Sequence, residues 1–413
     1  MPSFMAADIL LPKNAEMDKW SVIACDQFTS DQDYWSRVAK NVGQSASTLN
    51  MILPEAKLGG SEEENHIRKI NSTMRRYMES DLFQVYKGSY VYVERTLEDG
   101  SVRRGLVGAV DLEAYDYRPG SDSDIRATEK TVIERIPPRQ RVRRDAPLEF
   151  THVLLLCDDQ EQVLLDPISQ KKGSLKKLYD FDLMEEGGHI SGWLVDGAEA
   201  KAFDSRLEAY SETVPGKYRD LAGKAMTFAV GDGNHSLATA KTCYEELKKS
   251  DPNADFSDHP ARYALVELEN IHDESQVFEP IHRVIFDTNP REVLQELIRS
   301  CSASKGFPVE WYIGKEHGCI YLDPQKGELA VAILQGFLDQ YLKDHAGRID
   351  YIHDDDELIR LSEPSERIGF LLPAMEKSQL FRGVIAGGVL PRKTFSMGHA
   401  REKRYYLEGR VIK

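Results

Sequence analysis

The stretch Thr227-Phe-Ala-Val-Gly-Asp-Gly-Asn-His-Ser-Leu-Ala-Thr-Ala-Lys241 decides how the chain is read. Thr227 to Val230 predicts a short buried strand. Gly231 and Gly233 then allow a tight turn, and a helix is expected to open near Asn234. Leu237, Ala240, Tyr244 and Leu247 recur at spacings of 3, 4 and 3, which gives that helix one packing face. Between strand and helix stand an acid, an amide, an imidazole and a hydroxyl: Asp232, Asn234, His235 and Ser236. The first helical turn has N–H groups without intrahelical partners and carries the positive end of the helix dipole, so a phosphate is a natural guest. The glycines let backbone approach such a ligand, and Asp232 and His235 are suited to moving protons or holding a metal-bound phosphate. The same letters also describe an ordinary Asp-Gly turn with Asn234 as helix cap.

Outward from this turn, strands and helices alternate without a clean break. On the N-terminal side, Trp20 to Phe28 is an apolar, strand-like run, and Ser61 to Asp81 predicts a helix with Ile67, Ile70, Met74 and Met78 on one face. Tyr90 to Arg95 and Val102 to Asp111 read as two strands joined at Asp99-Gly100, a hairpin signal. Further strands are expected at His152 to Cys157, Val163 to Leu165 and Gly187 to Val195. C-terminal to the turn, Arg262 to Leu268 and His282 to Phe286 read as strands. Asn289-Pro290-Arg291-Glu292 opens a helix, with Asn as cap and Pro at the first position. Two or three strands are expected between Pro308 and Leu334. This mixture predicts an α/β or α+β protein with mixed sheets around a strand–glycine turn–helix anion site. Residues 1–413 read as one unit, with sub-regions 1–118, 119–290 carrying the turn, and 291–413.

Composition narrows the function classes. With 41% hydrophobic residues and a mean hydropathy of −0.47, the 413-residue chain can bury a large core and stay in water. It has no run of about 18 apolar residues and no signal-peptide pattern at its start, so no membrane partner and a cytoplasmic location are expected. Five scattered cysteines without a C-x-x-C pair suit reduced thiols. A net charge of −15 disfavours nucleic acid as a partner. Against that acidity, Arg126, Lys130, Arg135, Arg139, Arg141, Arg143 and Arg144 fall within nineteen residues, with Pro137-Pro138 expected to keep them out of a helix. A basic loop of this kind either balances acidic neighbours or meets a small anionic ligand.

No P-loop, dinucleotide fingerprint, G-x-S-x-G elbow or His-x-x-x-His zinc spacing is present. The ordered set Arg126-Ala-Thr-Glu-Lys-Thr131, Gly231-Asp-Gly-Asn-His235, Phe278-Glu-Pro-Ile-His-Arg283 and Leu390-Pro-Arg-Lys-Thr394 resembles the bacterial and archaeal family called domain of unknown function 1015. The Asp-Gly-x-His turn alone resembles that of the ParB/sulfiredoxin-like group, which includes nucleotide-binding proteins and free-serine kinases, and implies a core of that kind. There the histidine is commonly followed by a basic residue that touches phosphate; this chain has Ser236 instead.

Together these readings point to a small-molecule phosphotransferase, kinase-like, acting on serine or a similar hydroxylated metabolite. Asp232, His235 and Glu129 are the candidate catalytic groups, with Asp232 or Glu129 as base or metal ligand. Gly231, Gly233, Asn234, Ser236, Arg126, Thr131, Arg139, Arg141, Arg143, His282, Arg283, Arg392 and Lys393 are the candidate phosphate and substrate contacts. A nucleotide and Mg²⁺ are the implied cofactors, the metal through Asp232. A non-catalytic sensor of a nucleotide or phosphometabolite, and a phosphatase of a phosphorylated amino acid, are the alternatives.

Overall fold

A computed structural model describes every residue except Met1, Ser30, Gly59, Ser61 and His399. The chain is of the mixed α/β class. Its contacts divide it into two compact units: residues 1–220, 224–276 and 399–413 form the first, and 221–223 with 277–398 the second.

The first unit is built on a mixed sheet. Its main path runs Tyr115–Asp116, Ile125–Ala127, Phe228–Asp232, Leu154–Cys157, Tyr263–Asn270, Val102–Asp111, Phe83–Thr96, Ala7–Pro12, Gly409–Val411 and Leu148–Phe150. The hairpin expected at Asp99-Gly100 is there, with Val91 opposite Val107 and Gly100 at a φ of 82°. Phe228–Asp232 lies parallel to Ile125–Ala127 and antiparallel to Leu154–Cys157. The loop after residue 127, the turn after residue 232 and the residues just before 154 therefore lie at the same end of their strands.

A second feature of this sheet is a buried set of charges. Glu267 and Glu269 sit on the central strand Tyr263–Asn270, 3% and 0% exposed. Arg404, 2% exposed, lies 2.5 Å from both Glu267 and Glu408, and Tyr179 donates its hydroxyl to Glu408. Arg103 stands 3.3 Å from Glu269, which also accepts from the Gln276 amide. Burial, offset in part by Arg103 and reinforced by Glu267, pushes the Glu269 carboxyl up to about 7. Burial likewise raises Glu408, against the pull of Arg404.

The second unit contains a five-stranded antiparallel sheet in the order Glu316–Leu322, Ser302–Ile313, Ile368–Leu371, His282–Phe286 and Arg348–Ile352. Its entering and leaving strands pair with each other, Phe278 opposite Met397 and Pro280 opposite Phe395. The helix expected after Asn289 runs Pro290–Cys301, and the Asn289 side chain accepts from the Glu292 N–H.

Several local expectations are corrected. Arg135 to Arg144 is not a loop: Ile136–Arg144 is a helix with both prolines in its first turn, where no N–H is needed for an intrahelical bond. Val163 to Leu165 is a turn leading into the helix Asp166–Lys171, again started by a proline. Strands end at Leu322; the apolar run reaching Leu334 belongs to the helix Ala330–Asp344, because a short apolar run suits either element. Trp20 closes a short helix, and only Val22–Ile23 of the 20–28 run is strand. The first long helix is Glu63–Glu79, with Ser61 outside the described residues; Tyr77 rather than Met78 completes its buried face.

Candidate functional site

The turn is built as its glycines suggest. Phe228–Asp232 ends in the acid, Gly233 caps the following helix Asn234–Ser250 with a φ of 79°, and Asn234 is the first helical residue rather than the cap. A Cβ on Gly233 would lie 3.0 Å from the Val153 Cα, so both conformation and space call for glycine. Asp232 Oδ1 accepts the Gly233 N–H at 2.8 Å, and its Oδ2 lies 3.4 Å from the Lys403 ammonium.

His235 is half-buried, and its Nε2 accepts the Val132 N–H at 3.1 Å. That bond leaves the proton of the neutral ring on Nδ1. Burial first, then Arg139 and Arg135, lowers its pKa to about 4, so the imidazole is neutral through the physiological range. An NMR titration of this ring is expected to show a midpoint near 4; a midpoint near 6.5 would mean that neither burial nor the arginines act on it.

Ser236 bonds an imidazole absent from the sequence-based site: His152 Nε2 stands 2.7 Å from the Ser236 hydroxyl. Burial lowers the His152 pKa, with Asp26 and Asp232 opposing and Arg139 adding to it. The ring leans on Tyr406, centroids 4.7 Å apart, and Tyr406 donates its hydroxyl to Cys25 Sγ at 3.1 Å. Burial and then Asp26 push the Cys25 thiol up to about 11, so it is a packed thiol rather than a nucleophile at neutral pH. His152, Asp26 and Lys403 carry no local signal of a shared site. They arrive through strand order: His152 precedes a strand antiparallel to that of the turn, and Lys403 precedes the C-terminal pair Tyr405–Tyr406.

The other sequence-predicted groups divide sharply. Thr131 is 4% exposed, its hydroxyl has no partner among the described residues, and Val132 beside it reaches His235. Glu129 lies half-buried on the same loop and is engaged in a contact of its own. Arg126 does not reach the turn: its guanidinium donates to the carbonyls of Ser123, Lys224 and Ala225, at the start of the strands that the turn ends. Arg139 is ion-paired with Glu55 and Arg141 with Glu63, and Arg143 is held 2.6 Å from Glu149. Arg135 is exposed and makes no ion pair among the described residues.

His282, Arg283, Arg392 and Lys393 lie in the second unit. His282 binds Asp355 at 2.6 Å through Nε2 and accepts the Leu372 N–H at 3.1 Å through Nδ1. Arg283 is fully buried, donating to Gln335 and to the carbonyls of Ile281 and Arg392. Arg392 is exposed, 3.8 Å from Asp339, and Lys393 is exposed at a φ of 57°. Arg283 and Arg392 are linked through Gln335 and Asp339, while His282 is held separately by Asp355 and Leu372.

Among the described residues, no three His, Cys, Asp or Glu side chains are grouped as metal ligands. Both Asp232 oxygens already face a donor, the Gly233 N–H and Lys403, so Asp232 would share an oxygen with Mg²⁺, which commonly completes its shell with water and phosphate oxygens. No helix among the described residues is long and apolar enough to cross a membrane.

Among solved structures, a free serine kinase variant in complex with ADP is similar at 11% identity and a TM-score of 0.36, covering 77% of this chain and 95% of that one. SbnI with a C-terminal truncation, from Staphylococcus aureus, is similar at 11% identity and a TM-score of 0.34, covering 71% and 83%. A conserved hypothetical protein from Pyrococcus furiosus stands at 11% and 0.32, covering 72% and 90%. These overlaps are loose, below the level at which a shared chemistry follows. No curated protein matches the sequence. The family match is of another order: the model of the family described as protein of unknown function (DUF1015) matches residues 8–375, and the chain belongs to that family.

Proposed function

We propose that the chain is a small-molecule phosphotransferase, kinase-like, moving a phosphoryl group from a nucleotide to a hydroxylated metabolite at the Gly231–Ser236 turn. The observation that carries this reading is the gathering of Asp232, a neutral His235 and the Ser236–His152 pair around one helix start, with Arg139 and Lys403 close by. The N–H groups of the first helical turn would hold phosphoryl oxygens, and Lys403 with Arg135 would neutralise the charge that spreads over them. With its Nε2 engaged, His235 serves as a hydrogen-bond donor through Nδ1 and not as a base. The acceptor's hydroxyl proton would pass toward the Asp232 carboxylate, whose charge reaches His152 of the Ser236–His152 pair. Asp232 would be the residue to hold Mg²⁺, which when bound would offset the charge of the donor's phosphates.

Phosphorus NMR of the protein with ATP or ADP, Mg²⁺ and a panel of hydroxylated acceptors beginning with L-serine tests this reading. A new phosphate ester is expected, formed about a hundredfold more slowly by Asp232→Asn. Release of inorganic phosphate from a phosphorylated amino acid, with no ester formed, would convert the reading to a phosphatase. One observation favours a sensor instead: Arg139, Arg141 and Arg143 are already paired with glutamates, which leaves fewer cations for a transition state. Saturable nucleotide binding with no turnover of any donor would establish that.

A further inference from the structure

A cavity of about 140 Å³ opens beside the turn, and its wall includes both members of the Ser236–His152 pair. Most of the rest is apolar: Met51, Leu53, Leu58, Met74, Val142 and Phe150. Four charged residues also reach it, but each already has an ion-pair partner, Arg139 with Glu55, and Arg143 with Glu149, which Arg410 also holds from outside the wall at 2.9 Å. The wall therefore offers a guest apolar surface and hydroxyl-binding capacity, and no unmatched charge. Thr239 lies one helical turn beyond Ser236, and its hydroxyl is already committed to the His235 carbonyl at 2.7 Å. Ser236 is different: a serine hydroxyl has one proton and two lone pairs, and the bond to His152 uses one of these.

Size and polarity together select the guest. An apolar cavity of about 150 Å³ accommodates a benzene-sized molecule. A zwitterion of similar size would lose the hydration of an ammonium and a carboxylate with no charge to replace it. We infer that this cavity is the acceptor subsite, and that it takes a small alcohol with an uncharged, largely apolar body whose hydroxyl lies at the Ser236–His152 pair. Only its role as acceptor rests on the phosphotransfer reading. The subsite also narrows that reading, because it disfavours free L-serine and favours an alcohol whose carbon body can leave water.

Met51 and Met74 are built-in reporters, both on the wall and both buried. In the full-length protein labelled with ¹³C at methionine methyls, benzyl alcohol without any phosphoryl donor is expected to shift both signals saturably. L-serine at the same concentration is expected to shift neither. Val142→Phe, at a half-buried position, should weaken the benzyl alcohol response at least tenfold by filling the cavity. Leu58→Trp, also half-buried, is the second filling variant should the first not fold, as judged from its methyl dispersion. Absence of a saturable shift at Met51 and Met74 would overturn the inference. An undiminished response in a folded filling variant, or an equal response to L-serine, would do the same. Binding of benzyl alcohol with no phosphoryl transfer to any acceptor would leave the subsite standing and remove the phosphotransferase reading. Transfer to L-serine with the cavity empty would do the reverse.

Discussion

Arg404→Met is expected to destabilise the first unit by about 3–5 kcal/mol, a large part of the roughly 5–15 kcal/mol that holds a typical domain folded. Arg404 is 2% exposed and lies 2.5 Å from Glu267 and from Glu408, themselves 3% and 0% exposed. Methionine fills much of the same volume but leaves two carboxylates in the core without their guanidinium. Removing one member of such a set is costly because the remaining charges have lost both water and partner. Chemical denaturation at pH 7.5 would show the loss as a lower midpoint, with aggregation during expression as the extreme form. The triple variant Arg404→Met/Glu267→Gln/Glu408→Gln should recover much of it, since an uncharged set no longer needs the cation. A single variant as stable as the parent would show that water reaches these carboxylates.

The second large effect is a dependence of stability on pH that runs opposite to the usual carboxylate trend. Glu269 holds its proton to about 7 in the folded chain, against 4.5 for the free side chain. Between those values the folded state binds more protons than the unfolded one, so its stability falls as pH rises, by about 1.4 kcal/mol per unit. Over the whole window that amounts to about 3 kcal/mol. The contribution is fully present below pH 4.5 and lost once pH passes 7. His235 slopes the other way, its pKa being depressed, so the readout is the difference between the parent and Glu269→Gln. The unfolding midpoint of the variant should lack the descending component between pH 5 and 7. Identical pH profiles would mean that Arg103 keeps Glu269 ionised throughout.

Local chemistry made much of this structure legible. The strand, glycine turn and helix around Asp232 stand within two residues of their expected positions, and His282–Phe286 and the Asn289 cap are as read. In each case the signal lies within a few neighbouring residues: glycines where a positive φ is needed, or a cap followed by a proline. Errors came where one short signal fits two elements. Prolines stop a helix from within but begin one at its first turn, so Pro137-Pro138 and Asp166-Pro167 were open to both readings. The loop after Arg126 does reach His235 through Val132, yet Arg126 itself points back to the other end of its strand. His152, Asp26 and Lys403 could not be found by spacing, since sheet order alone brings them to the turn. Glu267 and Glu269 alternate with apolar residues like the wet face of a strand, and it takes the distant cations Arg404 and Arg103 to make that face interior.

The pairing of Phe278 with Met397 places the entry and exit of the second unit side by side, while Arg404 and Glu408 come after it in the chain. During synthesis, Glu267 leaves the ribosome well before its cation Arg404 does. For more than a hundred residues of translation, the growing first unit holds Glu267 with no Arg404 to meet it, while Glu269 already has Arg103. Completion of the first unit thus waits for the segment that carries Arg404 and Glu408. A chain cut after residue 398 would hold Glu267 in its first unit without Arg404, a state open to chaperones and proteases that residues 399–413 close.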